Sequence, residues 1–264
     1  MVLELLLFTA DPARAAAAVP AGLAGVVVDW ERRGKARRQE GEGTEINQHT
    51  PADLARVRAA TTGRVICRLD AAGPHTVEQV GAAVRLGADE VLLPMVRRPE
   101  EVDVALAAAA GRCGVGVMVE TQDAVECVHA LARRPISRVY VGLNDLRIDR
   151  GSTSLFEPLV DGTVDAVRAA VDVPLGVAGL TAVGGGAPVP SRLLAAELVR
   201  LGASFTFLRR SFVADVPTAR MADEVPRMRA ELAGLAQRSP AEVLDDQLAL
   251  AAAVGTGARA SQVA

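Results

Sequence analysis

Eight short apolar runs recur along the chain, at Leu3–Phe8, Val26–Asp29, Val65–Leu69, Glu90–Leu93, Val115–Val119, Val139–Val141, Pro174–Val177 and Phe205–Leu208. Most are near-continuous rather than alternating, the pattern of strands buried on both faces. Between them lie stretches with helical spacing, such as PADLARVRAA, TVEQVGAAVRLG, PEEVDVALAAAA, TQDAVECVHALA, FEPLVDGTVDAVRAAV and PSRLLAAELVRLG. Strand then helix, repeated, predicts right-handed βαβ units on a parallel sheet. Eight units predict closure into an α/β TIM (β/α)8 barrel. An open doubly wound sheet would carry a glycine-rich phosphate turn after an early strand, but Phe8 is followed by TADPARAAAA.

After the eighth run, RRSF and the helical stretch VPTARMADEVPRMRAELAGLAQ close the barrel, which gives a catalytic domain over residues 1–237. Residues 238–264 predict an extra C-terminal amphipathic helix, packed on the barrel or on a neighbouring subunit. A small-residue tail follows, with disorder expected at its end. Two connections are long. The glycines 184–186 in GLTAVGGGAPVP read either as a plain loop or as a mobile flap over the rim. WERRGKARRQEGEGTEINQHT, residues 30–50, has a length that is uncommon unless functional, although its charged middle also reads as solvated surface. Asp29 and Glu31, at its start, sit at a strand end where barrel active sites lie.

Composition narrows the partners. A net charge of -3 with both signs interspersed leaves no long basic stripe for nucleic acid, and 3% aromatic residues do not make a base-stacking surface. Alanine and leucine are therefore expected to fill the core. The apolar N-terminus is short and carries Glu4, so it reads as a strand rather than a signal peptide, and no stretch is long enough to span a bilayer. Three cysteines without paired zinc spacing read as reduced thiols. A cytoplasmic protein with a small-molecule partner, and with neither nucleic acid nor membrane, is the expectation.

The chemistry concentrates at strand ends. Glu120, in VGVMVET, ends the fifth run, and Asp145, in VYVGLNDL, follows the sixth. In a parallel barrel both lie on the C-terminal rim, where two carboxylates can converge on one divalent cation. Alternatively, Glu120 pairs with an arginine and Asp145 caps the next helix. Arg68, in VICRLD, should emerge at the same rim, with its planar fork either on a substrate carboxylate or in a salt bridge to Asp29 or Glu31. A metal with an arginine suits an α-keto acid.

The ordered set DWE, CRLD, LLPMV, VET and GLNDL, after or within the second to sixth runs, resembles the HpcH/HpaI aldolase and citrate lyase β-subunit-like family of the phosphoenolpyruvate/pyruvate barrel superfamily. The likeness is strong from about Val26 to Gly151 and rests elsewhere on strand order. It implies a divalent-metal-dependent carbon–carbon lyase, an aldolase joining or splitting a pyruvate-like enolate and an aldehyde, in a homo-oligomer. By that resemblance Glu120 and Asp145 hold Mg²⁺ or Mn²⁺, and Arg68 contacts the keto or enolate oxygen. Backbone amides near Gly142, Leu143 and Asn144 hold the substrate carboxylate, and Glu31 orients metal-bound water. No Schiff-base lysine is needed, and Lys35 is the only lysine.

Three positions depart from the family pattern. Arg32 stands where the aldolase branch has its histidine base; His49, in EINQHTP, either returns from the long loop to supply that base or stays an exposed loop residue. Met118 replaces a commonly polar amide. The lyase branch's second acid is missing from DWERRGKARR, although Lys35 and Arg38 are kept. Two alternatives follow: a citrate-lyase-like or malyl-CoA-like acyl-CoA lyase, with the basic stretch Arg32 to Arg38 meeting the CoA phosphates, and a non-catalytic keto-acid-binding barrel.

Overall fold

A computed structural model describes residues 3–35, 47 and 49–261. Eight parallel strands pair in sequence order and the last returns to the first, closing a barrel. They are β1 (Glu4–Phe8), β2 (Gly25–Asp29), β3 (Arg64–Arg68), β4 (Glu90–Leu93), β5 (Gly114–Val119), β6 (Arg138–Val141), β7 (Leu175–Leu180) and β8 (Phe205–Leu208). Around them lie α1 (Pro12–Ala18), α2 (Pro51–Ala60), α3 (Thr76–Arg85), α4 (Pro99–Ala109), α5 (Gln122–Glu126), α6 (Val128–Ala132), α7 (Leu143–Arg150), α8 (Thr163–Ala170), α9 (Ser191–Arg200), α10 (Arg210–Asp215), α11 (Met221–Leu235) and α12 (Pro240–Ser261). Helix starts follow local chemistry. Thr50 and Asp53 form a reciprocal capping box ahead of α2, and Asp11 caps α1 with Pro12 in its first turn.

The periodicity errs where a local turn interrupts it. The helix expected over 121–132 is two short helices, because Cys127 (φ -96, ψ 12) leaves the helical region. The helix expected over 156–171 begins as a 3-10 turn, and α8 starts only after Gly162, whose φ of +86 favours glycine. β7 runs on to Leu180, past the expected Val177. α12 continues through Ser261, where a small-residue tail was expected; residues 262–264 lie outside the described residues. This last helix lies against α9 of its own barrel, buries Leu250 and Val254, and places Asp246 at 2.6 Å from Arg192 and 2.5 Å from Arg238. No helix among the described residues is long and apolar enough to cross a membrane.

Two apolar layers hold the barrel. Outside, Val, Leu and Ala from strands and helices form the larger core, as the composition requires. Inside, a smaller cluster adds aromatic rings to the aliphatic filling: Tyr140, Phe205 and Phe207 join Leu6, Val27, Ile66, Leu92 and Met118. The few aromatic residues of the chain are thus concentrated where the interior needs volume. Gly176 makes this possible, since a Cβ there would lie 2.5 Å from the Phe205 ring. The N-terminal end of the barrel is closed by charge pairs, Arg138 with Glu90 (2.7 Å) and Arg64 with Glu4 (2.6 Å). The opposite end is open.

Candidate active site

At the C-terminal rim lies a cavity of about 1060 Å³, lined by residues at or after the C-terminal ends of β1, β2, β5, β6, β7 and β8 and by Arg68 at the end of β3. Glu120, Asp145, Arg68, His49, Gly142, Leu143 and Asn144 all line it. Segments separated widely in sequence meet here because parallel strands bring all their C-terminal ends to one face.

Glu120 follows β5 and is buried, and its Oε1 accepts a hydrogen bond from the Met95 N–H at 2.8 Å. Met95 adopts a left-handed φ of +53, a conformation that aims its N–H across the rim at some cost in backbone strain. Asp145, also buried, sits in the first turn of α7, so the rim placement and the helix-start placement are both realised. Burial, and then the charges of Asp145 and Glu31, push the Glu120 carboxyl up to about 8; Arg68 and the Met95 N–H oppose the rise. Gly142 lines the cavity and also makes room for Glu120. Its N–H donates to the Val119 carbonyl at 3.1 Å, and a Cβ there would lie 2.3 Å from Glu120 Oε2. Its amide is thus engaged by the sheet, whereas Leu143 and Asn144 lie in the first turn of α7, which has no side-chain cap.

Arg68 forms the salt bridge that was the rival to substrate contact. Its Nε and Nη2 donate to the two oxygens of Asp29 at 2.8 and 2.7 Å, and Nη2 is 3.5 Å from Glu31 Oε2. Among the described residues its Nη1 makes no hydrogen bond, so the fork is fixed on one side and open on the other. Lys35 is buried with the same acids, 3.3 Å from Asp29 and 3.1 Å from Glu31. Asn47 adds a hydrogen bond to Asp29 at 2.9 Å. Burial works against the Asp29 charge, but Arg68, Lys35 and Asn47 outweigh it and hold the carboxyl well below the usual carboxylate range. Glu31 is held by Lys35 and Arg68 and is not among the cavity-lining residues, so its effect on the site is electrostatic.

His49 is half-buried rather than an exposed loop residue, and its Nδ1 accepts from the Asp29 N–H at 3.0 Å. A neutral ring accepting at Nδ1 carries its proton on Nε2. Burial first, and then Arg68 and Arg32, keep its pKa below the ordinary histidine value, against the pull of Asp29 and Asp53. In this tautomer the ring offers a donor, not the lone pair a general base needs. The glycines 184–186 do not line the cavity: Ser191 N–H donates to Gly185 at 2.8 Å and Val183 N–H to Glu224 of α11 at 2.7 Å, which folds that connection back on the helices. Of the basic stretch considered for CoA, residues 36–38 lie outside the described residues.

Sequence reasoning passed over Tyr140, Arg14 and Arg209. Tyr140 stands among Glu120, Arg68 and Arg209, and its hydroxyl donates to the Ala178 carbonyl. Arg209 ends an apolar run in FTFLRR, the same signal that singled out Arg68 in VICRLD. Met118 is an apolar wall of the cavity, as its side chain implies.

No family model matches the sequence, and no curated protein matches it. Among solved structures, an HpcH/HpaI aldolase from Desulfitobacterium hafniense DCB-2 superposes with a TM-score of 0.58 at 18% identity, over 78% of this chain and 85% of that one. The citrate synthase SbnG superposes with a TM-score of 0.60 at 16% identity, over 81% and 89%. A tryptophan synthase chain from M. tuberculosis does so at 0.56 and 19%, over 89% and 92%. These likenesses are of fold, and that fold carries more than one chemistry.

Proposed function

We propose that this chain is a divalent-metal-dependent carbon–carbon lyase of the HpcH/HpaI aldolase kind, making or breaking a bond between a pyruvate-like enolate and an aldehyde. The supporting observation is the pair Glu120 and Asp145. Two buried carboxylates face one cavity, and burial together with the charge of Asp145 raises the cost of ionising Glu120, a cost that a bound cation would relieve. Among the described residues no group of three or more His, Cys, Asp or Glu could hold a metal. Two carboxylates still fit Mg²⁺, which is commonly held by one or two of them with water and substrate oxygens completing the shell. The motif order and the fold likeness to an HpcH/HpaI aldolase add support.

Glu120 and Asp145 would hold the cation, which when bound would supply Lewis-acid stabilisation to an oxygen that gains negative charge. The chain's own residues do the rest. Arg68, locked by Asp29, directs its open Nη1 edge to the same developing charge without having to reorganise. The N–H groups of Leu143 and Asn144 receive the keto-acid carboxylate at the positive end of α7. Tyr140, Phe207 and Met118 form an apolar surface beside the reacting carbon, which limits water near the enolate. His49 fixes the Asp29 backbone and presents a protonated nitrogen.

Exchange of pyruvate methyl protons in deuterated water tests this reading. The wild-type protein should catalyse exchange only with Mg²⁺, Mn²⁺ or Co²⁺, and Glu120→Ala should abolish both exchange and metal binding. Pyruvate binding without exchange under any of these cations would favour the non-catalytic keto-acid-binding barrel instead.

A further inference from the structure

We infer that the cavity holds a second anion subsite on its β7–β8 side, centred on Arg209, for a carboxylate or phosphate carried by the aldehyde partner. Assigning that group to the aldehyde rests on the proposed lyase reading; the subsite itself does not.

Arg209 is set into the rim by its neighbours. Its N–H donates to the Leu180 carbonyl at 2.8 Å, extending the ladder of β8 by one residue. Its stem crosses Gly179, where a Cβ would lie 2.6 Å from Arg209 Cγ, so only glycine leaves it this path. The β7–β8 register shifts between Gly176 and Gly179, and Ala178 between them has a left-handed φ of +55. Irregular, strained backbone at a rim is a feature of functional sites. The guanidinium lies 5.9 Å from the centre of the Phe156 ring.

What this cation lacks is a carboxylate. Arg68, Arg138, Arg200 and Arg238 each pair with an acid, and the half-buried Arg168 and Arg229 donate instead to the Val171 and Gly22 carbonyls. Among the described residues Arg209 has no such partner, and burial, with Arg210 beside it, draws its pKa down against the pull of Tyr140. A guanidinium nevertheless stays charged, so a charged fork stands in the wall of an open cavity. Arg14 lines the same side, with a hydrogen bond to the Val213 carbonyl at 3.3 Å. The acid on this side, Asp11, is exposed and caps α1 through the Ala13 N–H at 2.9 Å. The volume of about 1060 Å³ is at the upper end for small-molecule sites and exceeds what a three-carbon keto acid fills. Tyr140, Glu120 and Arg209 line one cavity, so the subsite adjoins the carboxylate pair rather than forming a separate pocket.

Calorimetric titration of the full chain with inorganic phosphate and with succinate tests the subsite. The wild type should bind at least one, and which one it binds names the anion. Arg209→Gln keeps the stem and removes the charge, and it should weaken binding about tenfold or more, as expected for losing a charge-assisted hydrogen bond. Arg209→Lys, which keeps a point charge without the fork, should lose about threefold, and it carries the comparison if the glutamine variant does not fold. Binding of neither anion by the wild type, or equal binding by wild type and variants, overturns the subsite. The two readings separate cleanly. Pyruvate exchange without Arg209-dependent anion binding removes the subsite alone, and the reverse keeps the subsite and removes its assignment to an aldehyde.

Discussion

A Cβ placed on Gly142 would lie 2.3 Å from Oε2 and 2.8 Å from Cβ of Glu120, so the end of β6 and the carboxylate after β5 are fitted to each other. The candidate metal ligand occupies its place because its neighbour has no side chain. Gly142→Ala should therefore destabilise the protein by about 1–3 kcal/mol, the usual cost of overpacking. It should also weaken Mn²⁺ binding by roughly tenfold, as supporting residues around a metal do. Urea unfolding and calorimetry read the two effects, and full metal affinity in this variant would contradict the fit.

Glu120 makes the metal-free protein's stability fall with rising pH. Burial, Asp145 and Glu31 hold its folded pKa at about 8 against an ordinary value of 4.5, so the folded state keeps the proton longer than the unfolded chain. That contribution is full below about 4.5 and is lost as pH climbs toward 8. Glu120→Gln removes the titration, so its stability relative to wild type should increase across this range in the presence of a chelator. Thermal melts from pH 4.5 to 9 check it; a constant difference would show that the carboxyl is not held up.

Asp29 carries the opposite sign. Its folded pKa is depressed, so the stabilisation is present above an unfolded value of 3.8 and lost as pH falls further, through the folded value. Asp29→Asn leaves Arg68 and Lys35 facing a neutral group and should cost about 3–5 kcal/mol at pH 7, the range for breaking a buried ion pair. Denaturant curves at pH 7 and pH 3 should show the penalty shrinking at the lower pH.

At the closed end of the barrel the same physics acts without the chemistry. Glu90 accepts from Arg138 Nε at 2.7 and 2.8 Å, and both residues are buried. Glu90→Ala should destabilise by about 3 kcal/mol, by stranding the guanidinium, while leaving metal affinity unchanged. A matching loss of metal binding would show that the two ends of the barrel are coupled.

How much was legible in the sequence follows the range of the interactions involved. Runs such as VVVD and VICRL became strands because apolar continuity is a local property that any buried parallel sheet demands. Glu120 and Asp145 could be placed on one rim from sequence because parallel topology puts every strand's end there. The partners were legible only as alternatives: the sequence offered Arg68 a substrate carboxylate, Asp29 or Glu31, and the fold made the choice. Asp29 and Arg68 are 39 residues apart, as they meet across neighbouring strands, and the Met95 N–H that steadies Glu120 depends on a left-handed backbone that no propensity assigns to methionine.

The sequence by itself determined the barrel, the order of its units and the two carboxylates at its mouth, because hydrophobic period and strand ends are written residue by residue. Only the tertiary structure decided that Arg68 is held on one side by Asp29, that Lys35 is buried with Glu31, that His49 accepts at Nδ1 from the Asp29 N–H and that Arg209 has no acid partner among the described residues. Charge pairing and desolvation depend on which side chains come within a few ångströms of one another, and the fold alone sets those distances.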